Sequence, residues 1–184
     1  VFEVDGVPWP YREKALVMLH KPAGYECSLK PKHHPSVLSL LPGQLRVRGL
    51  QPVGRLDEDT TGLLLLTDDG ALIHRWTHPK RKLPKTYEAR LKHPMDEAAR
   101  LKLLAGVVLD DDPAPVQAEL AELPEPTLLR LSLTSGRYHQ VKRMVAAVGN
   151  RVESLHRPQF GQLRLPDDLA PGQWRWVAPE DVNR

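Results

Sequence analysis

Gly54-Arg-Leu-Asp-Glu-Asp-Thr-Thr-Gly-Leu-Leu-Leu-Leu-Thr67 is the stretch on which the reading turns. Leu63–Leu66 is a continuous apolar run, bounded by Thr60-Thr61-Gly62 before it and Asp68-Asp69-Gly70 after it. A run that short between turn signals is a buried strand. The polar half, Gly54–Gly62, is then a loop feeding a rigid strand, a common place for functional groups.

Working outward, apolar Ala15–Leu19 ends in a turn signal, His20-Lys21-Pro22-Ala23-Gly24. Val1–Gly6 reads as a strand end and turn, Ser28–Pro35 as a basic loop, and Ser36–Leu41 as one helical turn. Ala71–Thr77 suits a short helix, and Lys85–Leu91 alternates as a strand does. Met95–Leu104 has helical spacing and stops at Gly106. Leu129, Leu131 and Leu133 alternate with polar residues, which predicts a half-buried strand over Thr127–Leu133. Val141, Met144, Val145 and Val148 share one helix face, and Gly149-Asn150 supplies the stop. Arg143 and His139 fall away from that face and Lys142 lies at its border. Val152–Leu155 and Trp174–Val177 are further strands. Strands and helices do not alternate strictly, so the expected class is α+β.

The chain has 184 residues, 41% apolar and 27% charged, enough for one domain with a real core. No stretch approaches ~18 apolar residues, so a membrane-spanning helix is not expected, and no signal peptide shows. Cys27 is the one cysteine, which rules out an intramolecular disulfide and a cysteine-based zinc site. A reducing, cytoplasmic location is the expectation. The net charge of +3 hides segregation. Arg75–Lys92 carries seven basic residues and one acid, whereas Met95–Glu125 carries two basic residues and eight acids. Pro126–Arg157 is basic again, so an electropositive face for nucleic acid is expected.

Asp57 and Asp59, two apart, allow three readings: a Mg²⁺ site for phosphoryl transfer, a solvated acidic turn, or a carboxylate acting as nucleophile or base. The third needs a cation nearby to keep the carboxylate ionised, and Ser135–Met144 could supply it. Lys85-Thr-Tyr87 places an aromatic in a basic strand, where a nucleobase can stack. Each of these has a bland counterpart: an amphipathic helix with a solvated basic face, or a surface tyrosine.

Four segments occur in order: Lys21-Pro-Ala-Gly24, Gly54–Leu64, Lys85-Thr-Tyr87 and Gly136-Arg-Tyr-His-Gln-Val-Lys-Arg-Met144. Together they strongly resemble the RsuA group of pseudouridine synthases, from about Ala15 to Trp176. His-Gln-Val-Lys-Arg looks more like the small-subunit enzymes than the large-subunit relatives. The resemblance implies a mixed, mostly antiparallel sheet with flanking helices. The implied reaction is isomerisation of a uridine to pseudouridine, expected at the position named uridine-516 of 16S rRNA. The alternatives are a large-subunit (23S) rRNA target or a non-catalytic RNA-binding protein. A carboxylate-based hydrolase or phosphotransferase is the third class, and Mg²⁺ dependence would mark it.

The resemblance also implies roles. Asp57 is the catalytic aspartate, Tyr87 stacks on the uracil, and Lys142 pairs with Asp57, where many relatives have arginine. Arg55 helps fill the space left by the flipped base. Arg137, His139, Gln140 and Arg143 are expected at the substrate, and Lys80, Arg81 and Lys82 along RNA phosphates. The isomerisation needs no cofactor and no metal. Ribosomal RNA, free or in a small-subunit assembly intermediate, is the expected partner, with the chain a monomer and no membrane involved. Family members usually begin with an S4-type RNA-binding domain. Residues 1–14 are therefore expected to be a linker or remnant of one, and 15–184 the catalytic domain.

Overall fold

Leu63, Leu64, Leu65 and Leu66 are all fully buried, because both faces of their strand are covered. Leu63 and Leu65 pack with Leu16, Met18, Trp76 and Phe160, while Leu64 and Leu66 pack with Val17, Leu19, Leu45 and Leu50 on the other face. A strand buried on both faces reads as a continuous apolar run. The computed structural model describes residues 2–4, 7–9, 13–81, 83–137 and 139–183.

The chain runs β1 (Phe2–Val4), β2 (Val7–Trp9), β3 (Leu16–Lys21), α1 (Gly43–Arg46), β4 (Gln51–Pro52), β5 (Thr61–Thr67), α2 (Gly70–Thr77) and β6 (Lys85–Leu91). It continues with α3 (Glu97–Ala105), β7 (Val107–Leu109), β8 (Asp112–Val116), β9 (Leu120–Glu125), β10 (Leu128–Leu133) and α4 (Gln140–Ala147). The last elements are β11 (Val152–Phe160), β12 (Leu163–Arg164), β13 (Trp174–Trp176) and α5 (Pro179–Val182). Among the described residues, one sheet has the strand order β13-β3-β5-β11-β6-β10-β9, with β12 on β11 and β4 on β5. β11 pairs parallel with β5, and the other pairs are antiparallel. The α+β class and the mostly antiparallel sheet are as expected. No helix among the described residues is long and apolar enough to cross a membrane.

The parallel contact between β5 and β11 depends on Gly62, which pairs with Arg157 and has φ +117°. A Cβ there would stand 2.3 Å from the Arg157 carbonyl oxygen, so only glycine admits the approach. A third apolar cluster sits under β6 and β10, where Ala89, Leu129 and Leu131 meet Leu103 of α3 and Val141, Met144 and Val145 of α4.

Four differences from the expected elements are found. His20 and Lys21 do not form a turn: β3 runs through Lys21, which pairs with Gly62. The strand expected over Val152–Leu155 continues to Phe160; Pro158 is tolerated because it falls in the register irregularity between His156 and Gln159. The segment 107–125 holds three strands that periodicity does not reveal, since Pro113, Pro115 and Pro124 interrupt it. Those prolines fit the separate β7–β8 hairpin and β9 at the sheet edge. The helix expected over Met95–Leu104 starts at Glu97, capped by Asp96, whose carboxylate accepts from the Ala99 N–H at 2.8 Å.

His20 and His156 stack edge to face with ring centroids 5.8 Å apart, and Thr61 Oγ1 hydrogen-bonds His156 Nδ1 at 2.7 Å. Burial lowers the His156 pKa from its ordinary 6.5, the neighbouring His20 adds to this, and Glu88 opposes it. The unfolded chain therefore takes up the proton at higher pH than the folded one. Stability is expected to be flat above about pH 6.5 and to fall as pH drops below that value, levelling off under the folded pKa. Denaturant midpoints at pH 5 and 7 check this, and the difference should shrink in His156→Gln. An equal difference in that variant would assign the acid sensitivity to other groups.

Candidate active site

The loop between β4 and β5 presents Asp57, and buried Lys21 holds that loop in place. Its Nζ donates to the carbonyls of Thr60 at 2.7 Å, Glu58 at 2.9 Å and Pro22 at 3.0 Å. The Gly24 N–H donates to Glu58 O at 2.9 Å, tying the turn after β3 to the same loop. Burial pulls the Lys21 pKa below the ordinary lysine value, opposed by Cys27, Glu58, Asp59 and Asp57. Three carbonyl acceptors satisfy all three ammonium donors. Lys21→Met would remove the donor those three carbonyls share, leave only Glu58 with a second donor in the Gly24 N–H, and free the loop. We expect a loss of about 3 kcal/mol in stability and a fall in kcat with little change in KM; denaturant unfolding and steady-state kinetics check both.

The other wall is the start of α4. His139, at the helix N-cap, has φ +48° and ψ +38°, a left-handed conformation that non-glycine residues adopt rarely. That kink turns its ring toward the loop, where Nε2 lies 3.2 Å from Asp57 Oδ1. Lys142 Nζ lies 3.2 Å from Asp57 Oδ2 and 3.3 Å from Asp59 Oδ1. Burial works against the Lys142 charge, but its hydrogen bond to Asp57 and the attraction of Asp57 and Asp59 prevail, so its pKa is raised. The ammonium thus stands between the two carboxylates, where the metal reading would put a cation.

Asp57, Tyr87 and Lys142 all line one pocket of about 90 Å³, with Arg55, Arg137 and His139 on its rim and Leu133 and Leu155 at its walls. It opens into a cleft of about 1240 Å³ that extends along Lys85, Arg157 and Phe160. The half-buried Asp57 carboxylate, side chain 35% exposed, has the Lys142 ammonium on one side and the His139 ring on the other, and remains open to a ligand.

The remaining candidates divide. Arg55 is exposed and donates to the Cys27 carbonyl at 3.3 Å. Arg137 lines the pocket and pairs with Asp112 at 3.1 Å. Gln140 also lines the pocket, 4% exposed and turned inward. Its amide donates to Ser135 Oγ at 2.7 Å and its carbonyl accepts from the Arg137 N–H at 2.9 Å, so it shapes the loop rather than reaching outward. Arg143 pairs with the exposed Asp110 and Asp111 in the turn between β7 and β8. Lys80 and Arg81 are exposed beyond α2, and Lys82 lies outside the described residues. Sequence reasoning assigned no role to Lys21 and overlooked Arg157. The one available signal was Lys21 itself, a charged residue closing an apolar strand.

Residues 15–147 match the RNA pseudouridylate synthase family. The chain is 45% identical over 165 residues to the ribosomal small subunit pseudouridine synthase A of Yersinia pestis, covering 90% of this chain and 70% of that one. It is 44% identical to the protein of the same name from Escherichia coli K12, covering 90% and 71%. A crystal structure of a pseudouridylate synthase superimposes with a TM-score of 0.87 at 37% identity, over 94% of this chain and 74% of that one. The family match spans the loop, strand and helix that bring Asp57, Tyr87 and Lys142 together, and this chain belongs to the RNA pseudouridylate synthase family.

Proposed function

We propose that this isomerase converts a uridine of small-subunit ribosomal RNA to pseudouridine, with Asp57 as the catalytic carboxylate. The observation that carries the reading is the placement of Asp57 between Lys142 and His139 in a pocket shared with Tyr87. The names of the Yersinia pestis and Escherichia coli relatives support the ribosomal small subunit as the target. On this reading the 16S rRNA uridine named 516 is the site of reaction.

The target atoms of a stacked uridine are out of reach, so the base leaves the stack, at a cost of a few kcal/mol. Tyr87 offsets that cost by stacking on the uracil, and Arg55, exposed at the rim, fills the vacated space. Asp57 acts at C1′ while the N1–C1′ bond breaks. The uracil turns and C5 bonds to C1′. C5 loses its proton and N1 gains one, so there is no net redox change. Lys142 keeps the carboxylate charged where desolvation favours the neutral acid. Exposed Lys80 and Arg81, with Lys82, meet RNA phosphates. Tritium release from C5-tritiated uridine tests the reading. Release is expected from a 16S fragment containing the target and not from a 23S fragment. The reverse preference would move the target to the large subunit, and no release from either would remove the reading.

A further inference from the structure

Among the described residues, Lys85 and Arg157 are cations of the cleft with no carboxylate in ion-pair contact. Lys85 and Tyr87, two apart on β6, share one face of the strand. Arg157 lies beneath, 2% exposed, with its guanidinium carbon 6.0 Å from the Tyr87 ring centroid and 5.1 Å from that of Phe160. Lys85 Nζ lies 5.8 Å from the same Phe160 ring. Arg157 Nε donates to the Leu63 carbonyl at 3.0 Å, but buried Nη2 has no hydrogen-bond partner.

No carboxylate among the described residues forms an ion pair with either Lys85 or Arg157, whereas Arg137, Lys142 and Arg143 nearby each pair with at least one. Burial, and then the Arg157 charge, push the Lys85 pKa below its ordinary value. A buried guanidinium with an unused donor beside a second unpaired cation is costly, and an incoming anion relieves the cost. Both residues line the cleft that also holds Asp57 and Tyr87.

We infer that Lys85 and Arg157 form an anion subsite that takes the RNA phosphodiester flanking the uridine stacked on Tyr87. This rests on the functional reading above. A phosphodiester offers two oxygens to the planar guanidinium and a point contact to the ammonium. The contact positions the strand without reading a base. A free phosphate shares the chemistry, and the experiment separates the two.

The test uses a set of target RNA fragments, each with one neutral methylphosphonate near the target uridine. Tritium release and RNA binding are measured for the whole chain and for Lys85→Met. One flanking position is expected to lower kcat/KM about tenfold in the unmutated protein, the worth of one charge-assisted hydrogen bond. The same position should cost Lys85→Met clearly less than the unmutated protein, since Arg157 alone then meets the phosphate, and Lys85→Arg should regain the sensitivity. No sensitive position in the unmutated protein, or losses that simply add to that of Lys85→Met, would overturn the subsite. The scan on the unmutated protein needs no variant to fold. Inorganic phosphate at fixed ionic strength should leave turnover within about twofold. Strong inhibition by it, lost in Lys85→Met, would assign the site to free phosphate and overturn the RNA assignment. RNA that binds without releasing tritium would sink the functional reading, while its binding profile across the methylphosphonate set still decides the subsite.

Discussion

Asp57→Asn is expected to abolish isomerisation, lowering kcat by about 10⁴-fold, while the fold and RNA binding persist. Asparagine keeps the shape of the side chain and removes the charge that acts at C1′. Lys142 is not orphaned, because Asp59 remains 3.3 Å from its Nζ. Removing one carboxylate of a pair about a third exposed costs at most about 1 kcal/mol of stability. Binding is preserved for an electrostatic reason: a carboxylate among phosphates repels them, and its loss does not weaken contacts made elsewhere. Tritium release read beside filter binding checks both halves. A variant that binds and still turns over at more than a tenth of the original rate would remove Asp57 from the chemistry.

Gly62→Ala is expected to carry the largest loss of stability. The new Cβ would meet the Arg157 backbone at 2.3 Å, and φ of +117° is strained for any side chain. Overpacking costs up to about 3 kcal/mol and the backbone strain about 1–2 more. For a domain of this size, about 3 kcal/mol lowers Tm by roughly 6–12 °C. The parallel pairing of β5 with β11 should open first. β5 follows directly from the Asp57 loop, so activity should fall at temperatures where the chain is still folded. Thermal unfolding by circular dichroism is the measurement, and a Tm within 2 °C of the original would contradict the close approach.

What the sequence made legible follows the range of the forces involved. The Leu63–Leu66 strand, the β6 alternation over Lys85–Leu91 and the α4 apolar face are local patterns, and they were readable. The segments carrying Asp57, Tyr87 and Lys142 were readable through resemblance and composition, though their convergence is tertiary. Burial of charge was not readable. Arg157 and Lys21 look like surface residues in a string, and only the stacking of β5 between β3 and β11 encloses them. Gln140 looked available until the Ser135 hydroxyl and the Arg137 N–H claimed its amide. Arg143 looked open because its acidic partners, Asp110 and Asp111, lie in a stretch where prolines mask the strand periodicity.

The most direct test of the central claim is a map of pseudouridine in 16S rRNA from cells lacking this gene, complemented with the original protein or with Asp57→Asn. One 16S pseudouridine should disappear on deletion, return with the original protein and stay absent with Asp57→Asn. A complete set of 16S pseudouridines in the deletion, or its restoration by Asp57→Asn, would contradict the account.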